Sequence, residues 1–428
     1  MDLDALSKRM ANCECGQAHN FDLEALEVGH GMLSRVGEIL KKNDFPRRIL
    51  MVADGNSYRV TKGLYEQLIS CGFIVELRVY DDMKVADMRE VEELEKLLAR
   101  VDGCLSVGTG SVNDICRLSS FRQNKQLAIF ATAPSMDGFA SDSAPITKNN
   151  FKLSYQCCQP RIIIADTEIL AQAPTELKAA GFGDVIAKYV AIADWRIAQL
   201  VHGDYYCERV AGLVREALSR MVSLADKVSV CDEDAAKAIM ETLVLTGVAM
   251  QLTRSSRPAS GAEHIISHYW ECRKLERGVI SDYHGKKVGV ATLAVADIYH
   301  KIAAMKNIKA HKERLDWKDI EAHYGPVLME DVYKLNRPET IVDEIDPAVI
   351  DKNWSEICRI IKDEIPPVKE LVKLYKLAHA AMAPEDIAVD KELFEDGVRY
   401  HSFMRRRVTL MRLLSMLDID PLNVYYSK

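Results

Sequence analysis

Two histidines spaced four residues apart are the first sign of chemistry in the sequence. His264 and His268 follow residues 256–261, a turn-like stretch that runs into a predicted helix. In an α-helix, residues i and i+4 lie on the same face, so both imidazoles can point at one site. A lone helical histidine is more often packed or exposed than a ligand, so the pair needs partners elsewhere in the chain.

Asp184 and His284 could complete a metal site. Asp184 lies at the start of a strongly apolar helix, where a carboxylate is costly to bury unless it is paired or binds a metal. Considered alone, it is better interpreted as a helix cap. His284 stands just before another predicted helix. One aspartate and two histidines would give a catalytic divalent ion three protein ligands and leave coordination positions open.

A glycine-containing turn is a candidate for phosphate binding. Gly108-Thr109-Gly110-Ser111 follows a predicted strand and opens a helix, where a phosphate can approach the backbone and free N–H groups. The third glycine of the Rossmann fingerprint is absent, so a functional loop and a tight structural turn are equally supported. Asp54 ends an earlier strand, where it could accept hydrogen bonds from a ribose or cap the next helix.

Strands and helices alternate regularly in the N-terminal half. Apolar runs predict a short strand around Leu26 and further strands at residues 48–53, 72–80, 103–107, 126–131 and 161–166. Helical segments between them indicate an open parallel sheet with helices on both faces. Residues 132–144 are rich in small and turn-forming residues, and no helix or strand can be placed on them.

From about residue 175 the pattern is helical almost to the end. Long helices are predicted near residues 181–200, 205–228, 233–253, 260–275 and 287–304. We therefore expect a Rossmann-like α/β dinucleotide-binding domain over residues 1–168. An all-α metal- and substrate-binding domain follows over 169–428, with a helical extension from about 310. Arg405-Arg406-Arg407 is interpreted as a solvated helix face.

Composition limits the classes of function. The 56 basic and 63 acidic residues give a net charge of −7, which argues against a nucleic-acid binder. The sequence contains no uninterrupted run of about 18 apolar residues, so we expect no membrane span. The 11 cysteines, with no basic signal-peptide region before them, indicate free thiols in a reducing, cytoplasmic compartment.

Cys13, Cys15 and His19 form a cluster of soft ligands near the N-terminus that could seat a zinc ion. The Cys-x-Cys spacing is tighter than usual for structural zinc, and a fourth ligand is not nearby in the sequence. A simple turn is the favoured interpretation.

Several motifs that occur in a fixed order resemble one family. The most specific is Ser256-Arg257-Pro258-Ala259-Ser260-Gly261-Ala262-Glu263-His264. The others are Gly108-Thr109-Gly110-Ser111 with Asp114, Thr132-Ala133-Pro134-Ser135 with Asp137, Gly183-Asp184 with Lys188, His268, and His284-Gly285. Together, over roughly residues 25–310, they resemble sn-glycerol-1-phosphate dehydrogenases of the bacterial branch. That family is related to glycerol dehydrogenase, iron-type alcohol dehydrogenases and dehydroquinate synthase.

The resemblance implies a dehydroquinate-synthase-like fold and a set of site residues. Asp184, His264 and His284 would hold one divalent ion, which could be nickel, zinc or iron. Asp137 and His268 would contact the substrate, and Asp184 would touch both substrate and metal. NAD(H) or NADP(H) would be held by Asp54, Gly108, Gly110, Ser111, Val112, Asn113, Asp114, Thr132, Ala133, Pro134, Ser135 and Ser141. Iron-type alcohol dehydrogenases carry a further histidine where this chain has Lys188.

The reaction implied is the interconversion of dihydroxyacetone phosphate and sn-glycerol 1-phosphate. The divalent ion would polarise the C2 oxygen while a hydride passes between C2 and the nicotinamide. Arg257, Lys286 and Lys287 are candidates for binding the substrate phosphate. The alternatives are a glycerol dehydrogenase acting on an unphosphorylated polyol, a dehydroquinate-synthase-like lyase, and a non-catalytic binding protein. The long helical half has room for a homodimer interface.

Overall fold

Strands and helices occupy most of the chain. The computed structural model describes residues 1–149, 151–306 and 308–427. The strands are β1 Ala25–Gly29, β2 Arg48–Asp54, β3 Ile74–Tyr80, β4 Gly103–Gly108, β5 Gln126–Ala131, β6 Ser143–Lys148, β7 Phe151–Gln156 and β8 Ile162–Asp166. The helices to residue 202 are α1 Leu3–Met10, α2 Val36–Lys42, α3 Gly55–Val60, α4 Leu64–Ser70, α5 Met88–Leu98, α6 Gly110–Arg122, α7 Thr167–Gln172, α8 Thr175–Ile186 and α9 Lys188–His202.

The later helices fill the C-terminal half. They are α10 Glu208–Val222, α11 Glu233–Thr253, α12 Ala262–Glu276, α13 His284–Ala303, α14 Trp317–Asn336, α15 Pro347–Glu364, α16 Val368–Leu377, α17 Lys391–Tyr400, α18 Leu410–Leu413 and α19 Pro421–Tyr426. Short 3₁₀ turns separate several of them. Asn150, Asn307 and Lys428, the last of which ends the predicted C-terminal helical extension, lie outside the described residues.

Six strands form a parallel sheet in the order β1-β8-β5-β4-β2-β3 among the described residues. The side chains of β2 show why the sequence makes a strand that is buried on both faces. Ile49 and Met51 pack into one hydrophobic cluster, whereas Leu50 and Val52 pack into another on the opposite face. The predicted α/β fold and its strands are thus confirmed, to within a residue or two at each end.

The direction in which successive strands are added to the sheet reverses between β2 and β4. From β2 the connection runs to β3 on one side, and from β4 it runs to β5 on the other. Such a reversal opens a crevice at the carboxyl ends of the two strands, because the helices that follow them diverge. Asp54 ends β2 and Gly108 ends β4, so both lie at this crevice.

Three local features differ from the sequence-based expectations. The helical segment between β2 and β3 is divided into two helices at Gly63, whose φ of +93° lies in the left-handed region. Residues 143–156, where no strand was recognised beyond the small-residue loop, form the antiparallel hairpin β6–β7. Arg405-Arg406-Arg407 follows a 3₁₀ turn rather than lying on an α-helix.

Helix α11 runs through the helical half and is apolar nearly all round. By length and composition it could cross a membrane, but 89% of its most apolar window is buried inside the protein. It therefore has the character of a core helix.

Helices α8 and α13 approach each other through glycines. A Cβ on Gly285 would lie 2.0 Å from the Ala180 carbonyl oxygen, and one on Gly183 would lie 2.6 Å from the Gly285 oxygen. Backbones this close leave no room for a side chain. The contact places the start of α13 against the part of α8 that carries Asp184.

We predict that Gly285→Ala destabilises the protein by about 1–3 kcal/mol, because the added methyl group forces the two backbones apart. Urea unfolding monitored by circular dichroism measures the change. Gly212→Ala is the matched control, since a Cβ on this α10 glycine would meet nothing within 4 Å. Alanine there should be neutral or stabilising. Equal stability of the two variants would contradict the close approach.

Candidate metal and nucleotide site

A cavity of about 1180 Å³ lies between the carboxyl edge of the sheet and the helices α8, α12 and α13. Asp54 and Gly108 line it on the sheet side, and His264, His268 and His284 line it on the helical side. Residues more than two hundred positions apart in the sequence therefore face one space.

Asp184 lies behind the wall of this cavity, next to the lining residues Asp137 and His264, and has no exposed surface. Burial alone would raise the pKa of its carboxyl group, but the Lys188 ammonium and the two nearby imidazoles hold that pKa well below its usual range. Lys188 Nζ lies 2.7 Å from Asp184 Oδ1, and the backbone N–H of Asp137 donates to Oδ2 at 2.9 Å. The carboxylate is therefore ionised and held in one orientation.

Asp184, His264 and His284 each present a ligand atom to a common point, with all three atoms within 4.8 Å of one another. The Nε2 atom of His264 is 3.5 Å from Asp184 Oδ1. Burial lowers the pKa of His284 to about 3, so its ring is neutral and keeps a lone pair. One carboxylate oxygen with two imidazole nitrogens suits a divalent transition metal, so these three residues fit such an ion.

Glu263 orients the ring of His264. The Nδ1 atom of His264 lies 2.6 Å from Glu263 Oε1, which leaves Nε2 facing Asp184. Burial opposes protonation of His264, but its hydrogen bonds with Asp184 and Glu263 raise its pKa. A carboxylate behind a ligand histidine commonly fixes the tautomer at metal sites. Glu263 stands within the motif noted in the sequence, but its role there was not predicted.

Asp194 fixes the start of helix α12, which carries both histidines. Its Oδ2 accepts from the Ala262 N–H at 2.9 Å, and its Oδ1 accepts from the Leu410 N–H at 2.8 Å and the Tyr299 hydroxyl at 2.7 Å. Burial raises the pKa of Asp194 to about 7. One side chain of α9 thus caps α12 and anchors the C-terminal segment beside it.

His268 differs from His264 in its surroundings. It is not one of the three residues that share the ligand point, and its Nδ1 has no hydrogen-bond partner among the described residues. Burial, with the positive charges of Arg405 and Lys152 nearby, holds the pKa of His268 well below its usual range. Its ring stacks on that of His284 with centroids 5.7 Å apart. A neutral imidazole therefore faces the cavity beside the ligand cluster.

Asp137 shares Lys188 with Asp184. Lys188 Nζ lies 2.7 Å from Asp137 Oδ2. Burial and the neighbouring Asp184 carboxylate raise the pKa of Asp137, so of these two acids Asp137 protonates first. Lys188 thus neutralises part of the negative charge of the two carboxylates.

The start of helix α6 forms the phosphate-binding turn expected from the sequence. Thr109 precedes the helix and its side chain makes no capping bond, since its hydroxyl pairs with that of Ser135 at 2.6 Å. The backbone N–H groups of the first turn are therefore free to bind an anion. Gly110 has a φ of +35°, which favours glycine at this position.

Most, but not all, of the other residues predicted to bind the nucleotide line the cavity. Asp54 caps α3 through Ser57 and also lines the cavity. The lining includes Gly108, Gly110, Ser111, Asp114, Thr132, Ala133, Ser135 and Ser141. Within the described residues it does not include Val112, Asn113 or Pro134. Val112 packs in the hydrophobic core, and the Asn113 amide oxygen accepts from the Ser106 hydroxyl.

Two members of a cluster of positive charge beyond His268, Lys152 and Arg405, were missed by sequence reasoning. Lys152 and Lys287 bind opposite oxygens of Glu271, with N···O distances of 2.8 and 2.9 Å. Arg405 lines the same cavity and has no carboxylate partner in the described part of the chain. Three cations share one carboxylate here, so two positive charges remain.

Of the three cations suggested for a phosphate, only Lys287 lines the cavity. Arg257 is turned away and pairs with Asp204, and Lys286 pairs with Glu176 and Asp282. Arg405 was misinterpreted as part of a solvated face because the run of arginines was read as helical. Arg407 reaches inward as well and donates to the Ser260 carbonyl at 2.6 Å, which secures the turn before α12.

Comparison with known proteins places the chain in a family. The iron-containing alcohol dehydrogenase family matches residues 27–174. The glycerol-1-phosphate dehydrogenase [NAD(P)+] of Halalkalibacterium halodurans is 30% identical over 96% of this chain and 97% of its own length. That of Geobacillus stearothermophilus is 31% identical over 95% of this chain and 96% of its own. The chain belongs to the glycerol-1-phosphate dehydrogenase family.

The resemblance seen in the sequence motifs is thereby confirmed for this family member. The fold is similar to that of an iron-containing alcohol dehydrogenase from Thermococcus thioreducens, which superimposes with a TM-score of 0.62. That structure is 15% identical in sequence and covers 96% of this chain and 100% of its own. At that identity the likeness concerns the fold alone.

We predict different outcomes for the two helical histidines of this family member. His264→Ala should lose one bound ion per chain relative to the unaltered protein, because it removes a ligand. His268→Ala should retain the full number of ions and lose turnover. Inductively coupled plasma mass spectrometry after dialysis counts the metal, and NADH oxidation measures turnover. Loss of the same ion from both variants would contradict this division of roles.

Proposed function

We propose that this chain is an NAD(P)-dependent, metal-dependent sn-glycerol-1-phosphate dehydrogenase that interconverts dihydroxyacetone phosphate and sn-glycerol 1-phosphate. The observation that carries the proposal is the juxtaposition of the Asp184–His264–His284 ligand set, whose two histidines line the cavity, with the uncompensated positive charge around Arg405 in the same cavity. A ligand set alone suits any polyol. The added positive charge favours a substrate with a phosphate group.

Asp184, His264 and His284 would hold the divalent ion. Bound there, the ion supplies Lewis-acid chemistry toward the C2 oxygen of the substrate. Glu263 and Lys188 keep the ligands oriented through their hydrogen bonds with His264 and Asp184. The donor set suits zinc, nickel and iron, so the identity of the ion is a question for assay.

The start of α6 and the end of β2 would hold the dinucleotide. The free N–H groups at Gly110 and Ser111 suit its pyrophosphate, and the nicotinamide serves as the hydride carrier. Asp54 keeps one oxygen for Ser57 and has the other available for a ribose. A carboxylate at this position favours NAD(H) over NADP(H), because it repels a 2′-phosphate.

Lys152, Lys287 and Arg405 would bind the substrate phosphate. Their two excess positive charges match a phosphate dianion, and their burial strengthens each charge-assisted hydrogen bond. His268 lies between this cluster and the ligand residues, so it would contact the middle of a three-carbon substrate. Its neutral ring can form a hydrogen bond with the C2 oxygen and so orient the substrate. Asp137, which lines the cavity, would contact a hydroxyl group of the substrate through its carboxyl group.

The purified protein should oxidise NADH in the presence of dihydroxyacetone phosphate and a divalent metal. The assay compares nickel, zinc and iron, both NADH and NADPH, and the unphosphorylated substrate dihydroxyacetone. We expect dihydroxyacetone phosphate to be the better substrate in kcat/KM. Turnover of dihydroxyacetone or glycerol without turnover of the phosphate ester would overturn the proposal in favour of a polyol dehydrogenase.

Arg405→Ala should raise the KM for dihydroxyacetone phosphate by about 10- to 100-fold, the effect of losing one charged hydrogen bond. Its kcat/KM for dihydroxyacetone should be unchanged, because that substrate carries no phosphate. Arg406→Ala is the matched control, since this neighbouring side chain is exposed and pairs with Glu344. An equal loss for both substrates in Arg405→Ala would count against a phosphate site.

A cytoplasmic location and a homodimer remain proposals. The free thiols expected of a reducing compartment are consistent with the first. The length of the helical half leaves room for the second.

A further inference from the structure

A fourth ligand joins the cysteine cluster that the sequence left incomplete. Cys207 lies 194 residues beyond Cys13, yet the two sulfur atoms are 3.5 Å apart. Cys15 Sγ and Cys207 Sγ lie 3.2 and 3.4 Å from His19 Nε2. All four ligand atoms lie within 4.8 Å of one another. The missing ligand was one of the two reasons for interpreting this segment as a simple turn; the other was the tight Cys-x-Cys spacing.

From this cluster we infer a second metal site in the protein, a structural zinc site with Cys13, Cys15, His19 and Cys207 as its ligands. Three sulfurs and one imidazole nitrogen are a standard ligand set for structural zinc. Around a tetrahedral zinc with bonds of about 2.3 Å to sulfur and 2.0–2.1 Å to nitrogen, the ligand atoms are about 3.5–3.8 Å apart. The separations between Cys13 and Cys207, Cys15 and His19, and Cys207 and His19 agree with this to within a few tenths of an ångström.

Three of the four ligands are held by parts of the protein outside the cluster. His19 Nδ1 lies 2.6 Å from the Leu252 carbonyl oxygen, so this nitrogen carries the proton and Nε2 keeps its lone pair toward the sulfurs. The Tyr205 hydroxyl lies 3.2 Å from Cys15 Sγ. Cys207 is the N-cap of the fifteen-residue helix α10, so its backbone is fixed by the start of that helix.

The tight Cys-x-Cys spacing is accommodated by a turn. Gly16 N–H donates to the Cys13 carbonyl at 3.1 Å, which folds the chain so that both sulfurs face Cys207. Helix α1 is fastened beside the cluster, since the Met1 ammonium binds Glu241 at 2.6 Å and Arg9 pairs with Glu216. The site is therefore assembled by contacts that do not depend on the ion alone.

The location indicates what the ion would do. It would join the N-terminal segment to the connection between α9 and α10 and, through His19, to the end of α11 at Leu252. Met250 and Ser256, on either side of Leu252, line the catalytic cavity. Four protein ligands leave no open position, so the role is structural. The ion would stabilise the segment that leads into α12.

The metal content of the full-length protein tests the inference. After dialysis against a chelator, the unaltered protein should keep one zinc per chain, and Asp184→Asn, which alters the other site, should keep it too. Cys207→Ser should reduce this zinc at least about tenfold. Cys231→Ser is the matched control, because Cys231 is an exposed thiol outside the cluster and its replacement should change nothing.

Cobalt substitution gives a readout that does not depend on the folding of any variant. Cobalt(II) at this site should show near-ultraviolet sulfur-to-metal charge-transfer absorption, which an aspartate–histidine–histidine site cannot produce. Absence of that absorption in the unaltered protein, together with no retained zinc, would overturn the inference. A Cys13–Cys207 disulfide found by mass spectrometry in freshly purified, zinc-free protein would overturn it as well.

Discussion

The buried carboxylate of Asp184 is the constraint on which the rest of the site depends. An ionised carboxylate without exposed surface requires positive charge and hydrogen-bond donors around it, and both come from fixed positions of the fold. Lys188 lies one turn further along the chain, and the Asp137 N–H comes from the loop after β5. The carboxylate also faces two imidazoles. Asp184 shares the positive charge of Lys188 with the second acid, Asp137, and a divalent ion bound beside Asp184 would supply further positive charge.

The packing of the helices serves this arrangement. Glycines bring α8 against the start of α13, so Asp184 and His284 can meet. Asp194 holds the first turn of α12 and with it His264. On the other side of the cavity, the reversal of strand order between β2 and β4 opens a crevice that exposes the free N–H groups of α6. The three ligand residues and the free N–H groups of α6 therefore lie near the ends of helices rather than on long loops.

The strands and the ligand residues could be predicted from sequence because both leave local patterns. Runs such as Ile49–Ala53 are apolar enough to indicate burial on both faces. The spacing of four residues between the two histidines of α12 predicts that they share one helix face. Cys207 and Arg405 could not be assigned in this way. Their partners are brought to them by tertiary folding, and neither stands in a pattern that points to a ligand. Arg405 was also misjudged because a run of three arginines says nothing about which of them turns inward.

X-ray diffraction from crystals grown with nickel, NADH and a non-reactive analogue of dihydroxyacetone phosphate would test the central claim most directly. Data collected on either side of the nickel absorption edge should show an anomalous peak bound by Asp184, His264 and His284, with the phosphate against Arg405 and His268 between them. Nickel bound through His268, or a phosphate lying on the opposite side of the cavity, would contradict the proposed site.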